Sequence, residues 1–295
     1  MAVSRALAGV IHAGVELAVR LEGLICEEWR RIAAAARSLY PGDASQCMEV
    51  GGGVALWLGN GSPLNSATGL GMLRAVGESD LVCVEDFYRA RGAHATIGLC
   101  PFADPSLLVG LGDRKWRATE FEHVLYLELD LPLPDSDPAI EVRVCQGEER
   151  AVWAQFVPAG FAREGTRNPG HQRFSRVAAS QEDAVLFLAW VDGVPAGTGK
   201  LVIADKVGWL SADTTLPEFG GRGVQRAVQL HRLRAAQEAG CELAVTESSL
   251  GSGSQRNMER LGFRIAYTHV EFPARTTSRP LKPRPASRSL SGKTR

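Results

Sequence analysis

The stretch LPEFGGRGVQRAVQ, residues 216–229, has the residue types and spacing of an anion-binding turn. Gly220, Gly221 and Gly223 surround Arg222 and lead directly into a predicted helix. A helix N-terminus leaves backbone N–H groups without partners and carries the positive end of the helix dipole. Glycines before it let those donors curl around an anion with no Cβ in the way. The stretch therefore predicts a phosphate site on a strand–loop–helix unit.

Two familiar phosphate motifs do not fit this loop. A Walker loop ends in Gly-Lys-Ser/Thr, whereas Val224, Gln225 and Arg226 follow Gly223. The dinucleotide fingerprint requires a glycine where Arg226 stands. A loop that only turns the chain is the alternative interpretation. The helix after the loop favours a packed unit, because it has one apolar face on which His231 is interpreted as a packing residue. That face comprises Val224, Ala227, Val228, His231, Ala235 and Ala239.

The rest of the second half alternates strands and helices around this loop. Asp192-Gly193 is a hairpin turn signal between two apolar runs. Strands are predicted at 140–146, 184–204 (a hairpin), 207–217, 241–248 and 263–272, and helices at 150–162, from the loop to Gly240, and at 254–262.

The first half begins with helical periodicity and continues largely as strands. Asp104-Pro105 has the pattern of an N-cap followed by proline at the first helical position. Helices are predicted at 5–37 (one or two), 81–92 and from Asp104, and strands at 48–59 (a pair or a bulged strand), 66–73, 95–102 and 120–131. The proline-rich segment 132–139 predicts a domain boundary, which gives domains at 1–132 and 133–274. The fold class is α/β (α+β) with a mixed sheet.

The two halves resemble each other near their ends. DRKWRATEFEHV (113–124) and ERLGFRIAYTHV (259–270) both run from a helix through an aromatic residue and an arginine into a strand. This echo favours a duplicated domain.

Residues 140–272 resemble the GNAT (Gcn5-related) N-acetyltransferase family. The resemblance rests on LPEFGGRGV (216–224) against the family's V-x-P-x-x-R/Q-G-x-G-φ loop, on the element order, and on Leu261-Gly262-Phe263 after a short helix. Residues 48–130 resemble a degenerate second copy. The resemblance implies two GNAT-like domains, each with a mixed, mostly antiparallel twisted sheet flanked by helices.

The resemblance also implies acetyl-CoA, or another acyl-CoA, as cosubstrate, with no metal. Its pyrophosphate is expected on the loop N–H groups, and its pantetheine arm between strands 207–217 and 241–248, which splay apart in the family. Ser254 and Asn257 are expected to make polar contacts with CoA, although Ser254 as a simple helix cap is the alternative. The implied contacts are Thr214, Thr215, Leu216, Gly220, Gly221, Arg222, Gly223, Val224, Gln225, Ser254 and Asn257.

Three positions depart from the family pattern. Gly220 stands where Arg or Gln is usual, so the side chain that closes over the pyrophosphate is lost. Gln225 stands where Gly or Ala is usual. Met258 replaces a tyrosine that often protonates the leaving thiolate, and a thioether cannot do so.

The first copy lacks the loop altogether and has carboxylates there, which would repel a pyrophosphate. We therefore predict that it binds no CoA and serves as a structural half or helps to form the acceptor cleft. Those carboxylates are Glu78, Asp80, Glu85 and Asp86.

Acyl transfer to an amine needs a base, an oxyanion donor and a route for the leaving thiolate. Asp213 before the loop and Glu247 at the end of the next strand are candidate bases, and each has an ordinary strand-end carboxylate as the alternative. Tyr267 is a candidate acid or acceptor-site wall, with packing as the alternative. A backbone N–H near Leu216 is the expected oxyanion donor.

The predicted function is N-acetyl transfer to an unidentified small-molecule or peptide amine. The alternatives are a non-catalytic acyl-CoA sensor and an interaction protein that keeps the fold.

Composition narrows the functional classes. The 295-residue chain has 45% hydrophobic and 22% charged residues and zero formal net charge, so no nucleic-acid partner is expected. Residues 275–295 hold seven basic and no acidic residues and are interpreted as a disordered tail, with nucleic-acid or membrane contact as the alternative. Six widely spaced cysteines fit reduced thiols and a cytoplasmic location. No membrane span or signal peptide is predicted, and monomer and homodimer both stay open.

Overall fold

The computed structural model describes residues 11–161 and 169–274, and the predicted tail lies outside them. None of the helices in those ranges is long and apolar enough to cross a membrane. The helices are α1 (Val15–Leu39), α2 (Glu78–Arg89), α3 (Pro105–Asp113), α4 (Glu149–Phe161), α5 (Pro169–Ser180), α6 (Val224–Glu238) and α7 (Gly253–Arg260). The strands are β1 (Gln46–Val50), β2 (Gly53–Trp57), β3 (Ala67–Thr68), β4 (Thr96–Leu99), β5 (Glu120–Glu128), β6 (Glu141–Val144), β7 (Ala184–Val191), β8 (Val194–Ala204), β9 (Val207–Thr215), β10 (Leu243–Ser249) and β11 (Arg264–Pro273).

The described strands form one mixed, mostly antiparallel sheet in the order β1-β2-β3-β4-β11-β5-β10-β9-β8-β7-β6. Within it, β3 with β4 and β9 with β10 pair in parallel, at equivalent places in the two halves. The last strand of each half is exchanged with that of the other half: β11 pairs with β4 of the first half, and β5 pairs with β10 of the second half. The halves therefore share a continuous sheet, and each completes the other. The boundary at 132/133 stays a prediction.

Helices cover both faces of this sheet. Consecutive strand residues such as Leu186 and Phe187 belong to different core clusters, because successive side chains of a strand point to opposite faces of the sheet. We call the side covered by α1, α4 and α5 the α1 face, and the side covered by α2, α3, α6 and α7 the α6 face.

Most predicted elements are confirmed, with three differences. The hairpin turn has φ of 52° at Asp192 and 76° at Gly193, the double left-handed geometry that Asp-Gly favours. The strand expected at 66–73 is wrong in length, because only Ala67–Thr68 pairs. Helix α5 was not predicted, and α1 begins at Val15, while residues 5–10 of the predicted helical segment lie outside the described residues.

Candidate active site

Strands β9 and β10 pair only over their first halves. Their parallel register runs from Leu243 opposite Val207 to Thr246 opposite Leu210 and then stops. Beyond that point β9 still pairs with β8, and β10 still pairs with β5. Among the described residues, 211–215 and 247–249 consequently have no strand partner on the edges that face each other. This gap confirms the predicted splay, and an extended molecule can pair with its edges as an added strand does.

The glycine loop closes one end of the gap. Gly221 and Gly223 have φ of 77° and 85°, in the left-handed region that glycine adopts without a steric penalty. Helix α6 begins directly afterwards at Val224. Arg222 donates its N–H to the Phe219 carbonyl, 3.3 Å away. Within the described residues, the loop and first-turn N–H groups of Gly221, Gly223, Val224, Gln225 and Arg226 have no hydrogen-bond acceptor.

Three predicted CoA contacts meet beside this loop. The Gln225 side-chain amide donates to the Ser254 hydroxyl (3.1 Å) and accepts from the Asn257 side-chain amide (2.7 Å). The network joins the first turn of α6 to the N-terminal half of α7. The cap of α7 is Ser252, which accepts from the Gln255 N–H, so the alternative role of Ser254 as the cap is wrong.

The residues just before the loop have mixed availability. The Leu216 N–H donates to the Ala196 carbonyl at 2.9 Å, which commits this donor within the sheet. The Thr214 hydroxyl lies 2.6 Å from that of Thr198 on the α1 face. The Thr215 hydroxyl is buried without a partner in the described part of the chain. Loop residue Arg222 turns toward Asp192, 3.2 Å away.

Strand β9 is bulged where it leaves β10. Ala212 has a φ of 53°, and the register with β8 shifts between Thr198 and Lys200. From the α6 face, the fully buried Arg232 donates to the Ser211 carbonyl (3.1 Å) and pairs with the Asp213 carboxylate. Burial raises the pKa of Asp213, and the adjacent guanidinium opposes the rise. The Asp213 side chain thus points away from the α1 face, and its carboxylate forms an ion pair with Arg232.

Replacing Asp213 by asparagine is expected to lower the free energy of unfolding by about 3–5 kcal/mol, because it leaves the buried Arg232 charge uncompensated. Urea denaturation measures this loss. Asp192→Asn is the matched control, since its partner Arg222 is at the surface and exposed pairs contribute at most about 1 kcal/mol. Equal stability of the two variants would contradict the role of Asp213 in a buried ion pair.

Glu247 and Tyr267 lie in one row on the α1 face, because both are opposite Val124 of the strand between them. Burial, followed by the carboxylates of Glu122, Glu22 and Glu271, raises the pKa of Glu247 well above its ordinary value. Within the described residues no group donates a hydrogen bond to its carboxyl. Burial and then Glu22 likewise raise the pKa of Tyr267 well above its ordinary value, and the Tyr267 hydroxyl donates to Glu22 at 2.7 Å.

Met258 does not face this row. Its side chain is fully buried in the core cluster of the α6 face, together with Phe263 and Val224. The family pattern has at this position a tyrosine that protonates the leaving thiolate. Met258 cannot donate that proton, and its side chain packs in the core instead.

The equivalent loop of the first half is filled by its own carboxylates. Asp80 accepts from the Gly77 N–H at 2.9 Å, at the start of α2, and pairs with Arg74 at 2.8 Å. The hydrogen bond from Arg74 is the main cause that lowers the pKa of Asp80 to about 2. Glu78 pairs with Arg114 at 2.6 Å. A carboxylate stands where an anionic ligand would sit, which supports the prediction that this half binds no CoA.

Glu22 and Arg232 were missed by the sequence analysis. Glu22 comes from α1, over 200 residues before Tyr267, and no local pattern links the two. Arg232 had a weak signal, since it is a charged residue beside the apolar face of α6, at a position that turns out to be fully buried.

Solved structures similar to this chain include GNAT acetyltransferases. A GCN5-related N-acetyltransferase from Kribbella flavida has a TM-score of 0.57 and 21% identity, over 82% of this chain and 95% of that one. A tandem GNAT protein from the clavulanic acid biosynthesis pathway has a TM-score of 0.57 and 15% identity, over 90% of this chain and 96% of that one. No protein-family model and no curated protein matches the sequence. At these identities the likeness concerns the fold, and the chain has the tandem GNAT acetyltransferase fold.

Proposed function

We propose that this protein is an acyl-CoA-dependent N-acyltransferase whose donor, acetyl-CoA, binds in the second half. The observation that carries the proposal is the gap between β9 and β10, closed by a glycine loop at the start of α6 whose N–H donors have no acceptor in the part of the chain that the structure describes. A pyrophosphate fits those donors and the helix dipole. The extended pantetheine arm fits between the unpaired strand edges, along residues 214–216.

The row on the α1 face supplies the proposed chemistry. The amine nitrogen attacks the thioester carbonyl carbon, the carbon–sulfur bond breaks, and CoA leaves as a thiolate. Glu247 is the proposed base for the ammonium proton, because its pKa is raised and its carboxyl accepts no hydrogen bond within the described residues. Asp213 is less suited, since Arg232 occupies it. Tyr267 is the proposed wall of the acceptor site, and solvent protonates the thiolate.

The backbone of the bulge at Ala212 is the proposed source of the oxyanion donor. Leu216 cannot fill this role in the observed geometry because its N–H bonds to Ala196. Rigid backbone donors that are already aimed cost no reorganisation during the reaction.

Gln225→Glu is expected to weaken acetyl-CoA binding by about tenfold or more, because it adds a negative charge beside the pyrophosphate site. The fold should persist, since Ser254 and Asn257 can both donate to a carboxylate, and acidic residues stabilise helix N-termini. Calorimetric titration with acetyl-CoA measures the effect. Gln155→Glu makes the same exchange at an exposed position of α4 and should bind like the wild type.

CoA release across a panel of small amines and peptide amines tests catalysis directly. Release that depends on one class of amine supports the transferase. The fully buried Met258 favours a second candidate, an acyl-CoA sensor without turnover. Tight acetyl-CoA binding with no amine-dependent release across the panel would favour that sensor.

A cytoplasmic location is also proposed. All six cysteines are free thiols, and burial raises the pKa of Cys26, Cys100 and Cys145 to about 12. Unpaired cysteines fit a reducing compartment.

A further inference from the structure

Glu22 brings a buried carboxylate from the first helix of the chain to the row on the α1 face. Its side chain is only 1% exposed. One carboxylate oxygen accepts from the Tyr267 hydroxyl at 2.7 Å, and the other accepts from the Thr68 hydroxyl at 3.2 Å. Nε2 of His269 lies 3.9 Å away.

The contacts of Glu22 join the two halves at one point. Thr68 belongs to the short strand of the first half, and Tyr267 belongs to the last strand of the second half. Tyr267 is also in the same row as Glu247, through Val124. Any change at Glu22 therefore reaches both proposed groups of the acyl-transfer site, although Glu22 itself belongs to α1.

We propose that Glu22 is a positioning residue of the acyl-transfer site: it fixes the Tyr267 hydroxyl and sets the charge environment of Glu247. The inference rests on the proposed function. It assigns the degenerate half a part in the reaction, because that half completes the acceptor side of the site with a charged side chain.

The charges around Glu247 predict in which direction the pH–rate profile shifts when the Glu22 charge is removed. Its described charged neighbours are Glu22 on α1, Glu122 on β5 and Glu271 on β11, and each one raises the pKa of Glu247. Tyr267 is in the same row, and His269 stands beside Glu22. Removal of the Glu22 charge consequently lowers the pKa of Glu247 and makes it a weaker base. The acid limb of the pH–rate profile should move to lower pH.

The test compares Glu22→Gln with Glu28→Gln in the full chain. Glu28 is a matched control, because it is also a buried carboxylate on α1 but pairs with Lys200 rather than with the row. Both variants lose a buried charge. Only Glu22→Gln should move the acid limb of kcat/KM to lower pH and lower kcat by about tenfold. In a Tyr267→Phe background, the loss of kcat from Glu22→Gln should shrink while the movement of the limb remains.

A second readout does not depend on turnover. Protein labelled with [ζ-13C]tyrosine gives one signal for each of four tyrosines, and Tyr267→Phe identifies the signal of Tyr267. Glu22→Gln should shift that signal, and Glu28→Gln should leave it in place. An unshifted Tyr267 signal overturns the proposal, as does a Glu22→Gln pH profile that matches Glu28→Gln. If the wild type turns over no amine, the proposed function fails and the catalytic role of Glu22 falls with it, while the carbon signal still reports the contact.

Discussion

Glu247→Gln is expected to lower the rate of amine acylation by about 10²–10⁴-fold, the usual contribution of a positioned general base. The same variant is expected to be more stable than the wild type at neutral pH. Because the pKa of Glu247 is raised in the folded protein, the folded state retains a proton that the unfolded state releases. Stability therefore falls as pH rises from the ordinary glutamate pKa through the raised one, and glutamine removes this loss.

Rates of CoA release and urea denaturation, each measured across pH, check both parts of this prediction. Glu242→Gln is the control, because Glu242 is half exposed just before the same strand and pairs with Lys206 at the surface. It should change neither quantity by more than a small amount. A Glu247→Gln enzyme with wild-type turnover would exclude Glu247 as the base. Lower stability at neutral pH would show that its carboxylate is paired in solution.

Lys200→Met is expected to lower the free energy of unfolding by about 3–5 kcal/mol. Lys200 is 1% exposed, and its ammonium contacts Glu28 of α1 and Gln181 after α5. Methionine fills much of the same space but leaves the Glu28 charge buried without its cation. The contact ties the first helix to the sheet of the second half, so this pair helps to hold the halves together.

Lys206→Met provides the comparison for this prediction. Lys206 is 68% exposed and pairs with Glu242 at 3.0 Å, and such surface pairs contribute at most about 1 kcal/mol. Chemical denaturation of both variants under the same conditions gives the two losses. If Lys200→Met costs no more than Lys206→Met, the buried pair does not stabilise the junction.

The glycine loop and the helix after it were predictable because their signals are local, whereas the gap beside them was expected only from the family resemblance. Gly221 and Gly223 require left-handed backbone that few other residues adopt, and the apolar face of α6 is contained in one helix. The hairpin at Asp192-Gly193 is local in the same sense. Ser252 and Ser254 show the limit of such signals, because two serines compete for one cap and only the geometry decides between them.

The partners of the proposed catalytic groups were not predictable, because they come from distant parts of the chain. Asp213 has an ordinary strand-end sequence, and only the packing of α6 shows that Arg232 occupies it. The contact of Glu22 with Tyr267 spans 245 positions. The exchange of β5 and β11 was also hidden, since strand order depends on pairing energies between segments rather than on either segment alone.

This exchange affects how the function can be tested. A fragment that begins at residue 133 lacks β5, the strand between β10 and β11. Its sheet would have an open edge in the middle of the site, next to Glu247 and Tyr267. Ligand binding is therefore best measured on the full chain.

Calorimetric titration of the full chain with acetyl-CoA is the decisive measurement for the proposed donor site. We expect one site per chain in the second half, weakened by Gln225→Glu and unchanged by Gln155→Glu. Absence of binding to the wild-type chain would exclude this donor site, and equal affinity of the wild type and Gln225→Glu would exclude its placement at the glycine loop.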